Sequence, residues 1–328
     1  MARKTLSISA LLGATALVLA GCASTPTDSA DGDAVQVVAS TSVYGDIVTA
    51  IAGDAVEVTS IVTSSSQDPH SYEASASDQL TISRADLIIE NGGGYDSFID
   101  ALIEASGSEA HVITAAEYSH DWPENEGHDH ADEDADATEE ADHDHDHAGH
   151  DHIEGFNEHV WYDPHTIEHV AEAIAEELTE LVPDESATFE SGLAAFVDGI
   201  AGLETSLSDV AAAHEGEKIF VTEPVPLYLT AAAGLENVTP EAFSEAVEEG
   251  QDVPPATLLE ATTLLSDGDV RVLIANSQTG GAETTQVIQT AEADGIPVIE
   301  FSEILPQGQT YLTWMAQNIE TLEGALAG

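Results

Sequence analysis

The segment Val35-Gln36-Val37-Val38-Ala39-Ser40 is a short apolar run typical of a strand, and the stretch after it, Val43 to Ala52, has helical spacing. This strand-then-helix alternation recurs through the rest of the chain. Further strands are predicted at 56–62, 85–90, 111–115, 218–222, 270–275 and 297–301, and further helices at 95–105, 227–233, 254–265, 283–293 and 310–326. Such alternation is typical of βαβ units, so the sequence predicts an α/β fold with parallel sheets.

Two helices without an intervening strand separate the first strands from the later ones. Asp163-Pro164 is typical of a helix start, with Asp as the N-cap, and this helix should run to about Leu181. Pro183-Asp184 begins a second helix to about Ala213, roughly 45 Å long at 1.5 Å per residue. We therefore expect two (β/α) lobes joined by a long linking helix, with a ligand site in the cleft between them.

The first residues have the pattern of a secretion signal. Arg3 and Lys4 precede an apolar run from Leu6 to Ala20, which is too short for a comfortable membrane span. The run ends in Leu19-Ala20-Gly21-Cys22, which resembles a bacterial lipobox, so we expect Cys22 to carry a lipid. The predicted organisation is a signal peptide at 1–21, a flexible tether at 22–34, an N-terminal lobe at 35–165, a helical region at 166–213 and a C-terminal lobe at 214–328.

The net charge excludes several classes of function. The 328 residues contain 63 Asp and Glu but only 5 Lys and Arg, for a formal charge of −58. Nucleic-acid binding and docking on anionic lipid both need basic side chains. A hydrophobic fraction of 42% still permits a true core, so the sequence predicts a folded body that attracts cations.

An acidic insert from His120 to His152 contains eight histidines and almost no large apolar residue. Such a segment cannot bury a core, and we expect a disordered loop. It is either a plain solvated insert or a low-affinity metal collector. The collector would use His128, His130, His143, His145, His147, His150 and His152.

Polar residues cluster where the predicted strands end. His70 lies in a loop after the second strand, His159 precedes the helix that begins at Asp163-Pro164, and Glu223 ends the first strand of the C-terminal lobe. Two imidazoles and a carboxylate suit Zn²⁺, and Mn²⁺ is also possible. No His-Glu-x-x-His, Gly-x-Ser-x-Gly or phosphate-binding glycine motif is present.

The order of two motifs around the insert resembles a known family. Asp68-Pro69-His70-Ser71-Tyr72-Glu73, then the acidic loop, then His159-Val160-Trp161-Tyr162-Asp163-Pro164 are similar to the metal-binding lipoproteins of zinc and manganese ABC importers. The resemblance implies two (β/α) lobes on a rigid long helix with one divalent metal in the interlobe cleft. It also implies His70, His159 and Glu223 as ligands.

The fourth ligand departs from the family pattern. The family often has an acidic residue after the next strand, but here the loop 275–281 contains no carboxylate. Gln278 or Asn276 could offer a carbonyl oxygen, water could fill the position, or a histidine of the loop could reach it.

The resemblance implies a receptor that is not an enzyme. It would be anchored through Cys22 on the extracytoplasmic face of the bacterial membrane, capture Zn²⁺, and deliver it to an ABC permease and its ATPase. Alternatives are a receptor for Mn²⁺ or Fe²⁺, a surface adhesin with a structural metal, and an extracellular metallohydrolase.

Overall fold

The computed structural model describes residues 34–125, 153 and 155–328. The N-terminal part of this region contains β1 (Gln36–Thr41), β2 (Glu57–Val62), β3 (Leu87–Glu90) and β4 (His111–Thr114), in the sheet order β2-β1-β3-β4. The later part contains β5 (Lys218–Val221), β6 (Glu236–Asn237), β7 (Val270–Asn276) and β8 (Val298–Phe301), in the equivalent order β6-β5-β7-β8. All pairings are parallel, so the carboxyl ends of each sheet lie at one edge.

The helices connect these strands and cover the sheets. Their bounds are α1 (Ser42–Ala52), α2 (Ala76–Ile82), α3 (Phe98–Ser106), α4 (Pro164–Leu181), α5 (Ser186–His214), α6 (Leu227–Ala232), α7 (Glu241–Glu248), α8 (Pro255–Ser266), α9 (Ala282–Asp294) and α10 (Tyr311–Leu326). Short 3₁₀ helices at Pro69–Ser71 and Val160–Tyr162 carry the chain through two loops that matter below.

The helices that connect the parallel strands cover the faces of the sheets. β3 is buried at all four positions, as expected for a strand covered on both sides. In the register, Val37 of β1 pairs with Val58 of β2 and with Leu87 of β3, which fixes the central strand of the first sheet. The predicted α/β fold with two parallel sheets is confirmed.

The long linking helix is also present. α5 has 29 residues, about 44 Å at 1.5 Å per residue, and packs against α1, α4, α6 and α10. One apolar core joins residues from both sheets through α4, α5 and α10. Ala34–Gly328 therefore form one compact unit.

Some expectations fall on residues that the structure does not describe. These are the signal peptide 1–21, Cys22 with nearly all of the tether, and the histidines His128, His130, His143, His145, His147, His150 and His152. Among residues 34–125, 153 and 155–328, no helix is both long and apolar enough to cross a membrane.

Candidate metal centre

His70 is held in place by the turn that follows β2. The Asp68 side chain caps the 3₁₀ helix Pro69–Ser71 by accepting the His70 N–H at 3.0 Å, and Pro69 fixes the first helical position. The His70 ring packs edge-on against Tyr95, with ring centroids 4.8 Å apart. The imidazole therefore stands at the carboxyl edge of the first sheet with its side chain only 16% exposed.

His159 is oriented by a neighbour that the sequence analysis did not single out. The Asn157 Oδ1 lies 2.8 Å from His159 Nδ1 and also accepts the His159 backbone N–H at 3.2 Å. An Nδ1–H bond to this oxygen leaves the Nε2 lone pair available for a metal. The amide of Asn157 also donates to the carbonyl of Pro224 at 3.2 Å, so it ties this loop to the residue after Glu223.

Glu223 and Glu303 come from the carboxyl edge of the second sheet, where one amide links them. The Asn276 Nδ2 donates to Glu223 Oε2 at 3.0 Å and to Glu303 Oε1 at 2.6 Å. Thr279 donates its hydroxyl to the other oxygen of Glu223. The two carboxylates follow β5 and β8, and Asn276 ends β7 between them.

Both lobes contribute to one group of atoms that could bind a metal ion. Ligand atoms of His70, His159 and Glu303 lie within 4.8 Å of one another. The His70 Nε2 is 3.9 Å from Glu303 Oε2, and the side chains of His159 and Glu303 are each 1% exposed. Glu223 reaches this group through its shared donor, Asn276, rather than by direct contact within that distance.

The structure gives the amide candidates for the fourth ligand other roles. Gln278 Oε1 accepts the backbone N–H groups of Glu303 and Ile304 at 2.9 and 2.8 Å. The Asn276 Oδ1 accepts the N–H of Gln278 at 3.0 Å. Glu303, which the sequence analysis did not select, is the carboxylate that lies with His70 and His159. It follows the last strand, so the strand-end rule that selected Glu223 could also have selected Glu303.

Burial and neighbouring carboxylates raise the pKa values of both carboxyl groups, Glu303 and Glu223. The pKa of Glu303 is raised to about 8, chiefly by burial and also by the nearby Glu223 and Asp68. The hydrogen bond from Asn276 lowers this pKa and offsets part of the rise. Burial also raises the pKa of Glu223, which Thr279 and Asn276 partly offset. A divalent cation would relieve this repulsion, because it favours the ionised form of each ligand.

Other histidines lie away from this group. His165 and His169 on α4 have ring centroids 4.8 Å apart, and His169 Nδ1 is 3.1 Å from Glu172 Oε2. His120, the first histidine of the insert, lies 3.5 Å from Asp163 Oδ2 through its Nδ1. Neither set belongs to a three-residue group of metal-ligand atoms within the described residues.

Known sequences match this chain over nearly its whole described region. Residues 37–325 match the model of a family described as ZnuA, zinc-uptake complex component A, periplasmic. The manganese-binding lipoprotein MntA of Halalkalibacterium halodurans is 24% identical over 318 residues, 95% of each chain. The manganese lipoprotein PsaA of Streptococcus mitis is 27% identical over 95% of each, and the iron lipoprotein MtsA of Streptococcus pyogenes serotype M1 is 26% identical over 98% of each.

Solved structures share the fold. The periplasmic zinc-binding protein TroA of Treponema pallidum has a TM-score of 0.69 at 20% identity, covering 89% of this chain and 99% of its own. A crystal structure of ZnuA has a TM-score of 0.67 at 19% identity, and the match covers 90% of this chain and 100% of that one. The laminin-binding protein Lmb of Streptococcus agalactiae has a TM-score of 0.67 at 21% identity, and the match covers 89% of this chain and 99% of that one. Lmb is described as a bifunctional protein with adhesin and metal-transporting activity.

Proposed function

This chain belongs to the ZnuA family of zinc-uptake component A proteins, and from that premise we propose that it captures Zn²⁺ in the cleft formed by His70, His159, Glu303 and Glu223. It is a metal-binding receptor of an ABC importer, not an enzyme, and it is a membrane-anchored protein of the extracytoplasmic face, like its lipoprotein relatives. The anchor is proposed to be lipidated Cys22, and the partners are proposed to be a permease and its ATPase.

One observation supports the proposed site above the others. Ligand atoms from two imidazoles and one carboxylate converge within 4.8 Å, although their residues come from loops of both lobes. The raised pKa values of Glu303 and Glu223 show that their ionised forms are disfavoured in this buried position, and a bound cation would favour them. The metal would therefore hold the two lobes together when bound, and separating the lobes would release it.

Zinc is the proposed cargo because two imidazoles suit this borderline cation. A manganese or iron receptor is the second candidate, favoured by the names of MntA, PsaA and MtsA and by the two carboxylates Glu223 and Glu303. Competition between Zn²⁺ and Mn²⁺ for the mature protein, read by native mass spectrometry, separates the two candidates.

The test of the site is a single substitution measured against a chelator of known affinity. His70→Ala should weaken tight Zn²⁺ binding by more than the roughly 10–100-fold typical of losing an outer partner, because it removes a ligand. The chelator masks weak sites elsewhere. The matched control is His111→Ala, whose imidazole is 61% exposed and paired with Glu177. Equal affinity of the two variants would contradict the proposed site.

A further inference from the structure

The His70 imidazole has carboxylates on both of its nitrogens. Its Nε2 faces Glu303 at 3.9 Å, within the proposed zinc site. Its Nδ1 lies 4.0 Å from Glu158 Oε1, on the other side of the ring. A ring between two acidic groups can bind a cation on either side.

Glu158 and Glu248 complete a second set of three ligand atoms. Ligand atoms of His70, Glu158 and Glu248 lie within 4.8 Å of one another. The Glu158 side chain is 3% exposed, and its backbone carbonyl accepts a hydrogen bond from Asn91 Nδ2 at 2.8 Å. Like the zinc site, the set joins both lobes, since Glu248 is the last residue of α7.

The Glu248 carboxylate is buried and aimed into this set. Its side chain is 10% exposed, and its Oε1 has no hydrogen-bond partner among the described residues. The same oxygen lies 3.8 Å from His159 Nε2. Glu248 thus stands between the two sets of ligands and can reach either.

The second set is nearer to solvent than the first. A cavity of about 860 Å³ is lined by His70 and Glu248 together with Asp68, Glu249 and Asp252. Two members of the second set therefore line the cavity, whereas of the zinc-site residues only His70 does. A cation that enters through this acidic cavity meets His70 and Glu248 before it reaches His159 and Glu303.

We propose that His70, Glu158 and Glu248 form an outer binding position for a divalent cation, which receives the metal before it passes to the inner site. The proposal rests on the function proposed above. A neutral imidazole has one lone pair, so His70 ligates at Nδ1 in the outer position or at Nε2 in the inner one. With two carboxylates and one imidazole, the outer position is the more oxygen-rich and accepts Mn²⁺ readily.

The experiment uses the full mature protein and Mn²⁺ alone, with free Mn²⁺ read by electron paramagnetic resonance. The inner site is disabled by His159→Ala with Glu303→Gln. This variant should lose the tightest binding but keep one Mn²⁺ of intermediate affinity. Adding Glu158→Gln and Glu248→Gln should lower the affinity for that ion at least 10-fold. Adding Glu249→Gln and Asp252→Asn instead should not, although it removes the same number of carboxylates and both of these line the cavity.

The results separate the two proposals. Wild-type affinity in the inner-site variant would contradict the proposed function. If that variant binds no more Mn²⁺ than the version that also lacks Glu158 and Glu248, the outer position is overturned. Should the inner-site variant fail to fold, stopped-flow capture by Glu158→Gln with Glu248→Gln decides. Capture at least 5-fold slower than in the Glu249→Gln with Asp252→Asn control supports the outer position, and equal rates overturn it.

Discussion

At the scale of single residues, amide side chains hold the candidate ligands in position. The Asn276 Nδ2 donates one hydrogen bond to Glu223 and another to Glu303, which follow different strands. The Asn157 Oδ1 accepts a hydrogen bond from the His159 Nδ1 and so fixes the tautomer of that imidazole. Outer partners of this kind orient ligands and are typically worth 10–100-fold in metal affinity.

Gln278 provides the residue-scale prediction. Its Oε1 accepts two backbone N–H groups, those of Glu303 and Ile304, and so holds the loop that carries the Glu303 carboxylate. Gln278→Leu should lower metal affinity about 10–100-fold and cost about 1–3 kcal/mol of unfolding free energy, because two donors lose their acceptor. Chelator competition and urea unfolding measure the two effects.

Gln251→Leu is the matched control, since Gln251 is an exposed glutamine that lines the cavity beside His70 and Glu248. It should leave both the affinity and the stability near the wild-type values. A Gln278→Leu loss as large as that of His70→Ala would instead indicate that Gln278 contacts the metal directly.

Sequence alone reached the site only in part, and the reason lies in distance along the chain. His70, His159 and Glu223 stand in local motifs or at obvious strand ends, so pattern and family resemblance select them. Glu303 follows the correctly predicted strand 297–301, but no motif marks it, and the contacts that orient its turn come from Asn276 and Gln278, which are distant in the chain. Asn276 lies 53 positions from Glu223 and 27 positions from Glu303 along the chain, and no local pattern encodes hydrogen bonds over such separations.

At the scale of elements, the sequence predicts most helices and strands but misses three short ones, α2, α7 and β6. α2 buries only Ile82 and leaves Leu80 exposed, so its apolar pattern is weak. α7 places Phe243, Ala246 and Val247 on one face but has only eight residues. The strand β6 has two exposed residues and joins the sheet only through backbone pairing with β5. α7 nevertheless supplies Glu248, so a helix too short to be predicted supplies a side chain to the cleft.

Gly192 provides the element-scale prediction. A Cβ at this position of α5 would lie 2.1 Å from the carbonyl oxygen of Ile51 on α1. The two helices therefore approach closely because α5 has no side chain there. Gly192→Ala should cost about 1–3 kcal/mol of unfolding free energy by overpacking, although alanine favours helix by up to about 1 kcal/mol.

Gly202 is the control within the same helix, because a Cβ there meets nothing within 4 Å. Gly202→Ala should raise the unfolding free energy by up to about 1 kcal/mol, the difference in helix propensity. Urea unfolding of both variants measures the contrast. Equal effects of the two substitutions would mean that α5 does not depend on close contact with α1.

At the scale of the whole molecule, the two lobes share a core that the chain closes at its end. α10 returns from the C-terminal segment to pack against α1 and α5. The N–H of Tyr311 donates to Asp46 Oδ2 at 2.7 Å, and its hydroxyl donates to the Trp161 carbonyl at 2.9 Å. These contacts span 265 and 150 residues, so the sequence pattern predicts the helix but not the surface it covers.

The surface of this molecule carries almost no positive charge to offset its acids. The whole chain has 63 Asp and Glu against 5 Lys and Arg. Lys218 pairs with Asp269 at 3.2 Å, and Arg271 with Glu217 at 3.3 Å. Repulsion among the remaining carboxylates opposes the compact state, and salt screens it.

Stability should therefore rise with salt. The screening length falls from about 10 Å at 0.1 M to about 3 Å at 1 M, so repulsion across the surface largely disappears. We expect the thermal midpoint of the metal-free protein to rise by about 4 °C or more between these salt concentrations, corresponding to on the order of 2 kcal/mol. Calorimetry in sodium chloride measures it.

A charge-reduced variant separates screening from general salting-out. Four exposed acids of α5 are replaced in Glu190→Gln, Asp198→Asn, Glu204→Gln and Asp209→Asn. This variant should be more stable than the wild type in dilute buffer and respond less to salt, because part of the repulsion is already gone. The same salt response in both proteins would assign the effect to salting-out of apolar surface, and no response in the wild type would show that its surface charge does not limit stability.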